Sequence, residues 1–219
     1  MIYHNVSQEQ IVTLVLEAVK KVLAKPETIP TGISVRHIHL ERRHVEALFG
    51  PGYQLTFRKA LSQPGQFAAE ETLDVIGPKG TIKNVRILGP ERPDTQIEVA
   101  YSDARKLGVK APVRASGDIE GTPGICLSGP AGIVNVEKGV IIADRHIHMT
   151  PEDAARFGVS DGELVAVKIE GVKSGIMENV IIRVSDRYRL DFHIDTDDGN
   201  AFMMSQGQEV TLIKKQDGQ

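Results

Sequence analysis

This sequence has little cysteine, no apolar run long enough to cross a membrane and almost no excess charge of one sign. Its 219 residues contain a single cysteine, Cys126, which excludes an internal disulfide framework and is typical of a reducing cytosol. The N-terminus has no secretory apolar core, so we expect a cytoplasmic protein with no membrane partner. A formal net charge of −3 gives no electrostatic reason to expect nucleic acid.

Long helical patterns are also scarce, which favours a mainly β fold. The chain has 21 glycines and 11 prolines among many short runs of β-branched residues, as in proteins built from short strands and turns. Only brief helical stretches separate these runs, so β-barrels are expected rather than a parallel sheet with crossover helices. Residues 117–130 and 195–200 are predicted to form turns because glycine, proline and aspartate are concentrated there.

Residues 7–24 form the one clear amphipathic helix. Ser7 and Gln10 make a capping box, and an apolar stripe at helical spacing follows. Pro26 and Pro30 end the helix and mark a linker. The helix either packs on its own domain or a neighbouring subunit, or serves as a detachable docking element; composition alone favours packing.

A four-residue motif occurs twice, as Arg36-His37-Ile38-His39 and as Arg145-His146-Ile147-His148. Each copy follows β-branched residues and is predicted to end a strand. Side chains i and i+2 share one face of a strand, so each copy presents two imidazoles to one point, which suits a divalent metal such as zinc. A short helix follows both copies, marked in the second by Thr150 and Pro151. The repeat indicates a duplicated metal-binding unit.

Two imidazoles rarely hold zinc alone, so each copy needs a third ligand. In the second half the candidate is His193, on another alternating strand. In the first half it is Glu98, a charged residue in a strand-like stretch, which either faces solvent or binds a metal.

Arginines near the motifs also have two interpretations. Arg92 lies on a loop just before the strand of Glu98, and is either a surface charge or, beside a metal, a group that holds phosphate or carboxylate. Arg36 and Arg145 allow the same choice, or point away from the imidazoles and pair with acids.

Several stretches together resemble the PduL-type phosphate acyltransferases (phosphate propanoyltransferases) of bacterial microcompartments. They are 33–40, 88–92 with 95–98, 111–118, 145–149 and 193–201, in the order of that family. They extend from about residue 29 to residue 201, which is nearly the whole chain.

The resemblance implies two similar small β-barrels capped by short α-helices and preceded by an N-terminal amphipathic helix, with the first strand crossing into the second barrel. The implied domains are 1–27 for the helix and linker, 36–143 for the first barrel, and 28–35 plus 144–214 for the second. Two zinc ions would lie between the barrels. The residues implied are His37, His39 and Glu98 for one zinc, His146, His148 and His193 for the other, Arg92 for phosphate, and Ser34 and Asn200 for coenzyme A.

The implied reaction converts a short-chain acyl-CoA, with propanoyl-CoA expected, and phosphate into acyl phosphate and CoA, and back. The family carries an N-terminal amphipathic helix that directs enzymes into the microcompartment lumen, so residues 7–24 are expected to contact shell or cargo proteins there. A homo-oligomer is also expected. The alternative function is a dinuclear zinc hydrolase of thioesters or related substrates, with the same ligands.

Overall fold

The computed structural model describes residues 12, 13, 15, 16 and 27–214. Residues 12, 13, 15 and 16 are helical, and the side chains of Val12, Val15 and Leu16 are about half exposed. The rest of the predicted helix at 7–24 lies outside the described residues. In the described part of the chain, no helix is both long enough and apolar enough to span a membrane.

Short strands dominate residues 27–214, and the prediction of a mainly β protein is confirmed. The helices are α1 (Arg42–Phe49), α2 (Tyr101–Leu107), α3 (Pro151–Phe157) and α4 (Thr196–Ala201). The strands are β1 (Thr28–Ser34), β2 (His37–His39), β3 (Phe57–Ala60), β4 (Phe67–Ile76), β5 (Thr81–Gly89), β6 (Gln96–Glu98), β7 (Val113–Arg114), β8 (Ile125–Ser128), β9 (Ile133–Val136), β10 (Val140–Ala143), β11 (His146–Met149), β12 (Leu164–Ile169), β13 (Gly175–Val184), β14 (Asp191–Asp195) and β15 (Glu209–Ile213).

These strands form one closed barrel and one open, curled sheet. The barrel lobe has the order β1-β14-β11-β13-β12-β15, and it closes because β1 pairs with both β14 and β15. The sheet lobe has the order β7-β10-β6-β2-β5-β4-β8-β9, with β3 paired to the first residues of β4. The two halves of the sequence therefore give similar β lobes, of which one closes.

The strand before each copy of the histidine motif belongs to the other lobe. β1 precedes the first motif but pairs with β14 and β15 in the barrel lobe. β10 precedes the second motif but pairs with β6 and β7 in the sheet lobe. Each lobe therefore needs strands from both halves of the sequence, while the domain boundaries expected above stay a prediction.

The isoleucine at the centre of each motif fixes the direction of its two histidines. Ile38 is fully buried in the core of the sheet lobe, and Ile147 is fully buried in the core of the barrel lobe. Burial of an isoleucine side chain is worth about 1.5–3 kcal/mol. A shift of one residue in register would turn these side chains out of the cores and the histidines into them. Packing therefore holds both histidine pairs on the opposite face.

Candidate active site

The first cluster is built on the antiparallel pair β2–β6. His37 lies directly opposite Glu98 in the register, and His39 lies two residues further along on the same face of β2. The distance from His37 Nε2 to Glu98 Oε2 is 3.4 Å, and that from His39 Nε2 to Glu98 Oε1 is 3.9 Å. One potential ligand atom from each residue lies within 4.8 Å of the others.

The second cluster has the same construction on the antiparallel pair β11–β14. His146 lies directly opposite His193, and His148 follows two residues after His146. The three imidazole centroids are 4.5–5.4 Å apart, and potential ligand atoms again lie within 4.8 Å of one another. The third side chain thus occupies an equivalent place in both lobes, as a carboxylate in one and an imidazole in the other.

Nearby acceptors orient three of the five rings. His37 Nδ1 donates to the carbonyl of Val35 at 2.9 Å, and His146 Nδ1 donates to the carbonyl of Asp144 at 2.7 Å. These bonds leave the Nε2 lone pairs free to bind a metal. His193 Nε2 instead contacts Asp191 Oδ2 at 3.0 Å, which leaves Nδ1 free. The sequence analysis assigned no role to Asp191. Its position two residues before His193 on an alternating strand could have indicated one, because the two side chains share a face.

Burial keeps most of these imidazoles neutral. Desolvation, with the charge of neighbouring histidines, lowers the pKa of His39 to about 3, of His146 to about 4 and of His148 to about 2. Burial would also lower the pKa of His37, but the Glu98 carboxylate beside it raises that pKa above its ordinary value. A neutral imidazole is the form that binds a metal.

The donor sets fit metal ions. Within the described residues, the buried Nδ1 of His148 has no hydrogen-bond partner, and a bound ion would satisfy such a nitrogen. Each cluster offers three potential protein ligands, so a tetrahedral zinc ion bound there would keep one open position, as in catalytic rather than structural sites.

Both clusters face one cavity of about 890 Å³, which all six candidate ligands line. Among the described residues, five cationic side chains also line it, against Glu98 as the one carboxylate: Arg36, Lys59, Arg86, Arg92 and Arg183. An excess of positive charge on the walls of a cleft concentrates anions there. The cavity therefore suits an anionic substrate near the two clusters.

Arg92 is joined to the first cluster through Ser116. The Ser116 hydroxyl accepts a hydrogen bond from Arg92 Nη1 at 3.1 Å and donates one to Glu98 Oε1 at 2.8 Å. Gln96 Nε2 also donates to Glu98 Oε1, at 2.6 Å. Sequence reasoning gave no role to Gln96 or Ser116, although both lie in stretches that carry the family resemblance.

The two residues expected to contact coenzyme A lie in different surroundings. Ser34 ends β1 and lines the cavity, with its Oγ 3.4 Å from His37 Nδ1. Asn200 is exposed on α4 and is not part of the cavity wall.

The arginines that begin the two motifs pair with acids. Arg36 Nε bonds to Asp103 Oδ2 at 2.8 Å, and Arg145 Nη2 bonds to Asp198 Oδ1 at 2.9 Å. Asp103 is on α2 and Asp198 is on α4, the helices that follow β6 and β14. These contacts favour pairing with acids over phosphate binding for both arginines.

The sequence of this site matches a known family. A model of the phosphate propanoyltransferase family matches residues 30–205, which include both clusters. The chain belongs to the phosphate propanoyltransferase family. A phosphate propanoyltransferase of Thermotoga maritima is 52% identical over 197 residues, covering 90% of this chain and 94% of that protein. One of Alkaliphilus metalliredigens is 47% identical over 206 residues, covering 94% and 97%.

A third relative, the phosphate propanoyltransferase of Enterococcus faecalis, is 48% identical over 202 residues, covering 92% of this chain and 96% of that protein. The resemblance stated from the sequence is therefore confirmed. As a member of the phosphate propanoyltransferase family, the protein is an enzyme of the acyltransferase class.

Proposed function

We propose that this acyltransferase interconverts propanoyl-CoA, or another short-chain acyl-CoA, and phosphate with acyl phosphate and CoA, using two zinc ions. The observation that carries the proposal is the meeting of two three-ligand clusters and Arg92 in one cationic cavity. The names of the relatives, which specify phosphate and a propanoyl group, support the same substrates.

The two clusters would hold the ions. His37, His39 and Glu98 would bind one zinc, and His146, His148 and His193 would bind the other. When bound, zinc supplies Lewis acidity toward a thioester carbonyl and a coordination position for a thiolate sulfur.

Arg92 would hold the phosphate in line with the thioester. Its guanidinium, fixed by Ser116, would bind two phosphate oxygens and neutralise part of their charge. A third oxygen would attack the carbonyl carbon, the carbon–sulfur bond would break, and the sulfur would leave as thiolate with the electron pair. Cys126 lies on β8 and does not line the cavity. The proposed reaction therefore uses no acyl-cysteine intermediate.

Ser34 and Asn200 are proposed to contact coenzyme A. The position of Ser34 at the wall of the cavity supports this role. Asn200 is exposed outside it, so it would contact a part of the cofactor that extends beyond the cavity.

The same proposal includes location in the microcompartment lumen, contact of residues 7–24 with shell or cargo proteins, and a homo-oligomeric state. The family resemblance supports the first two. The half-exposed Val12, Val15 and Leu16 are of the kind that a docking helix would present to a partner.

Metal analysis combined with a CoA-release assay tests the function. The purified full chain should contain two zinc ions, lose acyl transfer after chelation and regain it with zinc. Acyl phosphate should form only when inorganic phosphate is supplied, with propanoyl-CoA compared against acetyl-CoA and butanoyl-CoA. Release of free acid from the thioester without phosphate would instead identify the hydrolase, and full activity after complete metal removal would reject the zinc mechanism.

A further inference from the structure

Arg183 is a cation of the cavity wall that comes from the barrel lobe. It lies on β13 directly opposite His148 in the parallel pair β11–β13, and its side chain is partly buried. Arg92 lines the same cavity from the sheet lobe, and burial, with a smaller contribution from the charge of Arg183, lowers its pKa. Arg92 and Arg183 therefore line one cavity, one from each lobe.

The Arg183 guanidinium lacks a counter-charge. In the described part of the chain it makes no hydrogen bond or ion pair, whereas Arg36 pairs with Asp103 and Arg86 donates to the carbonyls of Ala69 and Glu70. Burying part of a cation without a partner costs free energy. An anion bound in the cavity would supply the missing partner.

Tyr188 holds Arg183 toward the metal cluster. The Arg183 guanidinium carbon lies 5.8 Å from the centroid of the Tyr188 ring, and that ring packs against His148 at 4.4 Å between centroids. The turn that carries Tyr188 is bonded to the sheet lobe by Gln63, whose side-chain amide donates to the carbonyl of Arg189 at 3.0 Å and accepts from its N–H at 3.1 Å. The position of Arg183 is therefore fixed from both lobes.

We infer that Arg183 is a second phosphate-binding residue, which together with Arg92 holds the transferred phosphate between the lobes. The inference rests on the proposed function. Two guanidinium charges match the double negative charge of phosphate or acyl phosphate, and each can donate two hydrogen bonds to it. The phosphates of coenzyme A are the other source of this chemistry, but the pantetheine arm separates them from the reacting sulfur, whereas Arg183 neighbours a candidate metal ligand.

Substitution of Arg183 tests this role. Arg183→Ala should raise the KM for phosphate so that kcat/KM falls about 10- to 100-fold, while the KM for propanoyl-CoA changes by less than about twofold. Arg183→Lys should recover part of the loss, and zinc content should equal that of the wild type. The matched control is Arg187→Ala, because Arg187 is exposed in the turn that carries Tyr188 and does not line the cavity. Equal losses in both variants would overturn the inference.

A binding measurement separates this inference from the proposed function. Inorganic phosphate should raise the thermal midpoint of the zinc-loaded wild type and of Arg187→Ala, but much less that of Arg183→Ala. An equal shift in all three would overturn the role of Arg183 even if phosphate-dependent CoA release is observed. If the wild type released no CoA in the presence of phosphate, the proposed function would be rejected, but the thermal measurement of phosphate binding would still test Arg183.

A thioester without phosphates identifies the source of the anion. With propanoyl-pantetheine in place of propanoyl-CoA, the Arg183→Ala defect in the KM for phosphate should persist. Disappearance of the defect with this substrate would show that Arg183 binds the phosphates of coenzyme A, and would overturn the inference.

Discussion

Glu98 connects the candidate metal cluster of the sheet lobe to Arg92 through Ser116. Its carboxylate faces His37 and His39 and accepts hydrogen bonds from Ser116 and Gln96. Burial would raise its pKa, but His37, His39 and the hydrogen bond from Ser116 hold it well below the ordinary value. The equivalent position in the barrel lobe is an imidazole. An ion bound there would keep one more unit of positive charge, so the two positions are chemically distinct.

Replacement of Arg92 should impair the use of phosphate more than the binding of zinc. Arg92→Ala removes a cavity cation that is no metal ligand, so we expect kcat/KM for phosphate to fall about 100-fold or more while zinc content is unchanged. Steady-state kinetics with varied phosphate, together with elemental analysis, check this. Arg58→Ala is the control, because Arg58 is exposed and pairs with Glu70. An unchanged phosphate dependence would reject the role of Arg92.

Loss of the Ser116 hydroxyl should weaken both zinc binding and phosphate binding. Ser116→Ala removes a donor to Glu98 and an acceptor for Arg92. We expect zinc affinity in the sheet lobe to fall about 10- to 100-fold, as for other groups that orient metal ligands, and the KM for phosphate to rise. Competition with a zinc chelator measures the first effect. The exposed Ser160 provides the control, Ser160→Ala, and equal zinc affinities in the two variants would contradict the prediction.

At the scale of elements, each ligand strand is followed directly by a short helix, and β1 completes the barrel beside His193. Gly32 on β1 pairs with His193 on β14. A Cβ at position 32 would lie 2.6 Å from His193 Cδ2 and 3.0 Å from Asp191 Oδ1. The absence of a side chain therefore leaves room for the edge of the ring that contacts Asp191.

Addition of one methyl group there should displace a ligand. Gly32→Ala should push His193 away from its partners, so zinc content should fall from two ions toward one per chain, with a cost of about 1–3 kcal/mol in stability. Elemental analysis and thermal unfolding measure these effects. Gly80→Ala is the control, since a Cβ there would lie 3.1 Å from the carbonyl oxygen of Lys106 and Gly80 does not line the cavity. Full zinc occupancy in Gly32→Ala would contradict the expected displacement.

Local signals predicted the elements that carry the motifs, but not their pairing. The helix start marked by Thr150 and Pro151 is where α3 begins, with Thr150 as its N-cap. The register that places Glu98 opposite His37 is a contact between distant residues, which spacing cannot reveal; hence both interpretations of Glu98 stayed open. Its burial and its contact with His37 now favour the ligand over the solvent-facing residue.

Two predicted turns were wrong in part, for physical reasons. Residues 196–201 form α4, because the Asp195 side chain accepts from the N–H of Asp198 and caps a short helix despite Gly199. Residues 125–128 form β8 inside the glycine-rich segment, because β4 and β9 pair with it on either side. In both places, contacts absent from the local composition decided the structure.

For the whole molecule, the contact of Gln63 with Arg189 bonds one lobe to the other. Gln63 is buried, and Gln63→Ala would remove both hydrogen bonds. We expect the free energy of unfolding to fall by about 1–3 kcal/mol, with zinc content unchanged because each cluster lies within one lobe. Denaturant titration measures the change. Gln54→Ala, at an exposed position, should leave stability as in the wild type, and equal stability of both variants would contradict the prediction.

Removal of residues 1–25 tests the role of the N-terminal helix. The shortened chain should retain phosphate-dependent CoA release, because the described residues that line the cavity begin at Gly32. Encapsulation with a microcompartment, measured by co-purification with shells, should be lost. An inactive, aggregated product would instead favour a helix that packs on its own protein.

Because the strand before each histidine motif pairs in the other lobe, the two lobes are completed at different times during synthesis. Thr31 of β1 pairs with Phe192, so about 160 further residues must be made before that partner exists, which takes on the order of 10 to 30 seconds at typical elongation rates. During this interval β1 is an unpaired strand edge, open to association with neighbouring nascent chains. Glu98 and its two histidines are translated early, whereas the second trio waits for His193. Newly made protein would therefore gain its metal-binding centres one after the other, with the barrel closing last.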